Sequence, residues 1–239
     1  MIVRPTAGNA LLLVRQPDHA ALAADLISAW TDGAFPANPR RDRILAAARS
    51  HDDGWDDEDD APLVGGDGAP VDFITAPAEV KQRVWPRAID RLEAADPYVA
   101  ALVAQHALTV YDHYASDPAW SPFFATMAAA RARLLARCDT AVAAALESDY
   151  PFVRAADLLS LAFCNAWDKA AEYRGHRINV TPDGVAVSPD PFSGRLVPFR
   201  VPVRRIDRRE YRDAADLRSA ITAAAPEWIE GTARGVAVS

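Results

Sequence analysis

The spacing of apolar residues changes period at Gly175, and this change limits the architecture of the chain more than any other feature. Upstream, apolar residues recur at intervals of three and four, the repeat of a helix with one buried face. Downstream, RINVTPDGVAVSPDP and RLVPFRVPVRRI alternate apolar and polar residues, with turn signals at Asp183-Gly184 and Ser193-Gly194. That is the pattern of a β-hairpin or small sheet. Alanine, the strongest helix former, is concentrated before residue 172. With 239 residues, 50% of them hydrophobic, the chain can bury one sizeable core. The expected fold class is mainly α. Residues 1–174 form a helical domain, and residues 175–239 form a small β-rich C-terminal elaboration, a β-hairpin plus terminal helix, packed on the same domain.

Within the first part, residues 2–15 read as a short strand or extended arm, a candidate to join the β-rich part. A helix then starts, with Pro17 suited to its first turn and Asp18 to its positive end. His19, Leu22, Leu26 and Trp30 share one face, so His19 points to the core. A second helix, from about Arg40 to Asp52, carries Ile44, Ala48, His51 and Asp52 on its inner side and ends at Gly54. The stretch DDGWDDEDDAPLVGGDGAP, Asp52 to Pro70, lacks periodicity and reads as a long loop, either functional or a solvated acidic surface. Helical spacing returns over Ala78–Ala95. Asp96-Pro97 starts another helix to about Tyr114, with His106, Val110 and His113 on one side. Pro122 opens a long helix to about Ser148, and a further one runs from about Ala155 to Tyr173, where Asp157, Leu161, Cys164 and Asp168 keep the spacing. A last helix covers Ala214–Ala224.

A net charge of −7 argues against nucleic acid or an anionic membrane as the main partner. The short basic stretch Arg204-Arg205 and Arg208-Arg209 reads as a solvated strand end and turn. Two cysteines, Cys138 and Cys164, without metal-finger spacing fit a reducing compartment. The apolar run Ala10–Val14 is too short for a signal-peptide core, and no run of about 20 apolar residues occurs. The expected location is the cytoplasm and the expected partner a small-molecule substrate, with no nucleic acid and no membrane. A homo-oligomer stays open.

The chemistry rests on histidine placement. Of five histidines, His19, His51 and His106 fall on the inner faces of three different helices, and His51 is followed directly by Asp52. A histidine–aspartate pair at a helix end can send both side chains to one ion. A second histidine from an earlier helix and a carboxylate from a later one, Asp157, complete a four-ligand set. Mixed nitrogen and oxygen ligands suit a divalent metal ion: iron, manganese, zinc, cobalt or nickel. Water in the remaining positions becomes available as a nucleophile. The competing readings are plain ones. A lone inner-face histidine is often a hydrogen-bonded core residue. Asp168 competes with Asp157, or caps a helix or pairs with Arg174. Trp55, Phe73 and Trp85 line a pocket or simply fill the core.

The order His, His-Asp, late Asp on successive helices resembles the HD-domain superfamily of metal-dependent phosphohydrolases. The resemblance implies an HD-domain-like helical bundle, with His19, His51, Asp52 and Asp157 as metal ligands and His106 as an extra histidine used for substrate or for a second metal. HDDGW, residues 51–55, keeps the glycine expected after the doublet. More closely, QPDHAALAADL, LAAARSHDDGW, the DAP…DF segment and DLLSLAFC are similar to a family of uncharacterised bacterial proteins, a domain of unknown function, over roughly residues 1–230. Trp55 departs from the superfamily, many members of which place a phosphate-contacting lysine there. The expected function is a metal-dependent hydrolase acting on a small, unidentified substrate, with a phosphorylated one left open, and with Asp53 and His106 as catalytic residues handling protons. A minority branch implies a di-iron oxygenase instead, for which His106 and His113 are the candidate extra ligands. A non-catalytic interaction module is the third reading. No phosphate-cradling glycine loop is present, and GGDG at Gly65–Gly68 has no strand before it.

Overall fold

Segments from both ends of the chain meet in a single sheet. The computed structural model describes residues 1–237. Its strands are β1 (Ile2–Pro5), β2 (Ala10–Val14), β3 (Ala171–Tyr173), β4 (His176–Thr181), β5 (Gly184–Ser188), β6 (Val197–Asp207) and β7 (Pro226–Gly235). They form one seven-stranded sheet in the order β1-β2-β6-β7-β5-β4-β3. β5 and β7 run parallel and every other neighbouring pair is antiparallel. Between β2 and β3 the chain makes α1 (Gln16–Ser28), α2 (Arg41–Ser50), α3 (Asp56–Asp60), α4 (Ala78–Leu92), α5 (Pro97–Val110), α6 (Ser121–Leu135), α7 (Thr140–Ala143) and α8 (Leu146–Cys164); α9 (Ala214–Ala223) joins β6 to β7.

This is an α/β fold, and it overturns the mainly α expectation, including the HD-domain-like bundle with only a small β-rich elaboration. Two strands account for the difference. β2 is an unbroken apolar run because both of its faces are covered: Leu12 and Val14 join the main helical core, while Leu11 and Leu13 pack with Met1, Ile206, Tyr211 and Leu217 on the other side. A run without alternation carries no strand period. β7, PEWIEGTARG, has mostly exposed or half-buried side chains and is held by its backbone, pairing Val201 with Ile229 on β6 and Gly184 with Thr232 on β5. Its Gly231 is required by packing, since a Cβ there would come within 2.6 Å of the Phe199 ring.

The helices differ in detail as well. Asp96 does cap α5, its side chain accepting from the N–H groups of Tyr98 and Val99. The long helix expected to reach Ser148 stops at Leu135, and α8 begins at Leu146, running through Pro151. Burial of Tyr150, Val153, Ala155 and Ala156 offsets the hydrogen bond that proline removes, a loss of roughly 3 kcal/mol. The acidic stretch is not a free loop. Asp53–Trp55 makes a 3-10 turn leading into α3, and Glu58 accepts from Arg83 and Arg87 of α4. Arg15 holds Asp56 and Asp60 from the other side.

Helices α1 and α8 pack side by side, α1 against β6 and α8 against β3, β4 and β5, with α2 and α5 packed onto them. The inner faces of α1, α2, α5 and α8 therefore meet in the middle of the core. Among the described residues, no helix is long and apolar enough to cross a membrane.

Candidate metal centre

The helices of this layer turn polar side chains inward toward one another. His19 comes from the first turn of α1, His51 and Asp52 from the end of α2, His106 from α5 and Asp157 from α8, and all five are buried. The turn after α2 is held tight by Gly54. A Cβ at this position would lie 1.8 Å from the Val84 carbonyl oxygen, so only glycine lets the His51-Asp52 turn press against α4.

The side chains converge on one point. His19 Nε2 lies 2.9 Å from Asp52 Oδ2 and 3.2 Å from His51 Nε2. His51 Nε2 lies 3.4 Å from Asp52 Oδ2 and 3.5 Å from Asp157 Oδ1, which is 3.7 Å from His19 Nε2. Ligand atoms of His19, His51 and Asp157 all fall within 4.8 Å of one another, a group that could hold a metal ion.

The outer hydrogen bonds fix which ring nitrogens face inward. His51 Nδ1 sits 2.8 Å from the Ala48 carbonyl, which can only accept, so Nδ1 carries the proton. The Ser160 hydroxyl donates to the His19 carbonyl at 2.7 Å and therefore accepts from His19 Nδ1 at 3.0 Å. In both neutral rings the lone pair is then on Nε2. With both rings neutral, two imidazole lone pairs and two carboxylates face a shared centre, an arrangement that repels itself until a proton or a metal ion is taken up.

Proton affinities express the same imbalance. Burial pulls the His51 pKa down, but Asp52 and Asp157 outweigh it and raise it to about 9. Burial alone would raise Asp157, yet the hydrogen bond from His51 and the charge of Arg154 hold it far below the usual carboxylate range. Asp52 is held low against burial by His51 and His19. His106 goes the other way. Burial lowers it to about 3 despite the Asp157 charge, so it stays a neutral imidazole.

A cavity of about 270 Å³ opens beside the centre, with Asp52, His106 and Asp157 in its wall together with Trp55, Phe73 and Trp85. His106 Nε2 is 3.5 Å from Asp157 Oδ2, and its Nδ1 is 3.2 Å from the Tyr150 hydroxyl. Not every expected residue arrives there. Asp53 is half-buried outside the cavity wall, its backbone carbonyl accepting from Arg91 and its carboxyl pKa raised by burial. Asp168 lies beyond the end of α8 and is exposed. His113 is exposed beside Tyr114 at the cavity's edge, away from the ligand cluster.

Sequence reasoning overlooked three residues. Arg154 binds Asp157 Oδ2 from one turn earlier on α8. Ser160 orients His19 from one turn later on the same helix. Both stand three residues from Asp157, a spacing that singles them out once Asp157 is taken as inward. Lys81 of α4 lines the cavity and is buried, and nothing in its neighbourhood of the chain signals this.

No curated protein and no solved structure matches the chain. A family model matches residues 1–208, a span that contains every residue of the centre and of the cavity, and the chain belongs to the family that it describes, Protein of unknown function (DUF3891).

Proposed function

We propose that the chain is a metal-dependent hydrolase that holds one divalent ion on His19, His51, Asp52 and Asp157, in the ligand order of the HD-domain superfamily. The single observation that carries this reading is the convergence of four acceptors: Nε2 of His19 and His51, both with their protons fixed on Nδ1, and the carboxylates of Asp52 and Asp157. The set fits iron, manganese, zinc, cobalt or nickel. Bound there, such an ion supplies Lewis acidity and brings the pKa of water toward neutrality.

The other residues act around that point. Ser160 and the Ala48 carbonyl keep the two rings in register. Arg154 neutralises the outer oxygen of Asp157 and leaves Oδ1 facing the histidines. His106, a neutral ring on the cavity wall, serves as a hydrogen-bond donor to substrate or to Asp157 rather than as an acid. Asp53, away from the wall, takes no part in proton transfer. Among the described residues one group of ligand atoms is gathered, which favours a single ion over two-iron oxidative chemistry.

The test is metal analysis of anaerobically purified protein, followed by assay of p-nitrophenyl acetate and p-nitrophenyl phosphate under argon. About one ion per chain is expected, with chelator-sensitive hydrolysis of at least one ester in the absence of oxygen. Wild type that holds no more metal than His51→Ala, even after reconstitution, overturns the metal reading. Turnover that requires oxygen overturns the hydrolytic one.

A further inference from the structure

The cavity beside the metal centre has a charge of its own. Lys81 lines it, is only 8% exposed, and forms no ion pair among the described residues. Its ammonium donates to the Ile74 carbonyl at 2.6 Å. The nearest influence of opposite sign, Asp72, spends its carboxylate on the backbone N–H groups of Val3 and Ile74. An ammonium has three donors, so two are left over. One helical turn later stands Trp85, on the same face of α4 and in the same wall. Its indole N–H lies beside the Tyr111 hydroxyl and has no other partner. Buried donors of this kind are normally satisfied, and a buried cation without an anion is costly.

The rest of the wall is mainly apolar, with Phe73, Val110, Tyr111, Leu161 and Trp167 among its residues. Arg154, the other cation there, is already paired with Asp157. Beside the metal-centre carboxylates Asp52 and Asp157, the cavity thus offers one cation without an ion-pair partner, two free ammonium N–H donors with the indole N–H one helical turn away, and a long apolar surface. The single charge of Lys81 balances the one charge of a carboxylate and leaves the second charge of a phosphate dianion uncompensated.

We propose that this cavity binds a small carboxylic acid with an apolar or aromatic body, its carboxylate held by Lys81 and the Trp85 indole and its body against the aromatic wall. The assignment rests on the reading of the adjoining centre as the reaction site, and it names the substrate class of that site.

The experiment uses 3-phenylpropanoate, 3-phenylpropan-1-ol and 2-phenylethyl phosphate as probes. Binding to wild type, Lys81→Met and Trp85→Phe is measured by calorimetry, on metal-loaded and on chelator-treated protein, with metal content determined in parallel. The acid should bind wild type at least about tenfold more tightly than the alcohol, as expected for a charge-assisted contact. Lys81→Met should erase that preference with metal content unchanged, and Trp85→Phe should reduce it several-fold. Equal binding of acid and alcohol by wild type overturns the proposal. So does an undiminished preference in folded Lys81→Met, or tighter binding of the phosphate than of the acid. Acid preference in a protein that never holds metal supports the cavity assignment and sinks the metal reading. Metal without any acid preference does the reverse.

Discussion

Helix α8 carries two buried carboxylates, Asp149 and Asp157, and their surroundings are opposite in kind. Asp149 meets only donors: Arg40 Nε at 2.5 Å, Asn38 Nδ2 at 2.7 Å and the Tyr98 hydroxyl at 2.7 Å. Asp157 has Arg154 on one oxygen, but its other oxygen looks toward Nε2 of His51 and His19, the ring nitrogens left free by the outer hydrogen bonds of the two Nδ1 atoms. Both carboxyl groups are held below their ordinary range against the effect of burial, Asp149 by hydrogen bonds from Arg40, Tyr98 and Asn38. A depressed pKa therefore does not separate a structural carboxylate from a functional one. The balance of donors and acceptors does. Asp149 is complete within the protein, while Asp157 turns one oxygen into a cluster where acceptors outnumber donors.

The largest effects should separate the two along metal binding. His51→Ala or Asp157→Ala should weaken binding by more than the roughly 10–100-fold typical of losing an outer partner. Asp149→Ala should leave metal content at the wild-type level. Competition against a chelator of known affinity measures both. A folded Asp149→Ala protein that had lost its metal would erase the distinction.

Stability should reverse the ranking. In chelator-treated protein, Asp149→Ala strands Arg40 and the buried Tyr98 hydroxyl and should cost about 3 kcal/mol in urea unfolding. The sign of its pH dependence follows from the depressed folded pKa. The Asp149 contribution is fully present above the unfolded value of about 3.9 and disappears as pH falls through the folded value. Wild type and Asp149→Ala should thus converge in acid. A gap that stays constant down to the acid transition would show that packing, not charge, makes the difference.

The same contrast explains what could be seen in the sequence. His19, His51, Asp52, His106 and Asp157 were legible because the register of an amphipathic helix is local: three-and-four spacing places them inward without any knowledge of the partner helices. Their meeting at one point is a tertiary fact that spacing alone does not contain. The acidic segment after Asp52 was misread for the converse reason. Its order comes from Arg83 and Arg87, more than twenty residues further along, and from Arg15 on the other side. β7 was invisible because backbone pairing, not side-chain alternation, holds it. Lys81 reads as an ordinary helical lysine until Phe73, Ile74 and Trp85 close around it.

A smaller effect probes the outer bonds of the centre. Ser160→Ala removes the acceptor for His19 Nδ1 and frees the ring to change tautomer. Metal affinity should fall by about 10–100-fold while the unfolding midpoint of metal-free protein changes little. Chelator competition and urea titration on the same preparation test this. An equal loss in both would make Ser160 a packing residue only.

The smallest effect sharpens the structural side. Tyr98→Phe takes one neutral donor from Asp149 and leaves Arg40 and Asn38 in place. The carboxylate stays paired, so the loss should be about 1.5 kcal/mol, the scale of a hydrogen bond to a charged group, rather than that of a broken ion pair. With fewer donors stabilising the ionised form, the folded pKa of Asp149 should rise toward its ordinary value. The acid limb of the stability curve should then move to higher pH while metal content stays fixed. If Tyr98→Phe instead lowered metal content, Asp149 and Asp157 would be coupled along α8, and donor balance would no longer suffice to tell the two carboxylates apart.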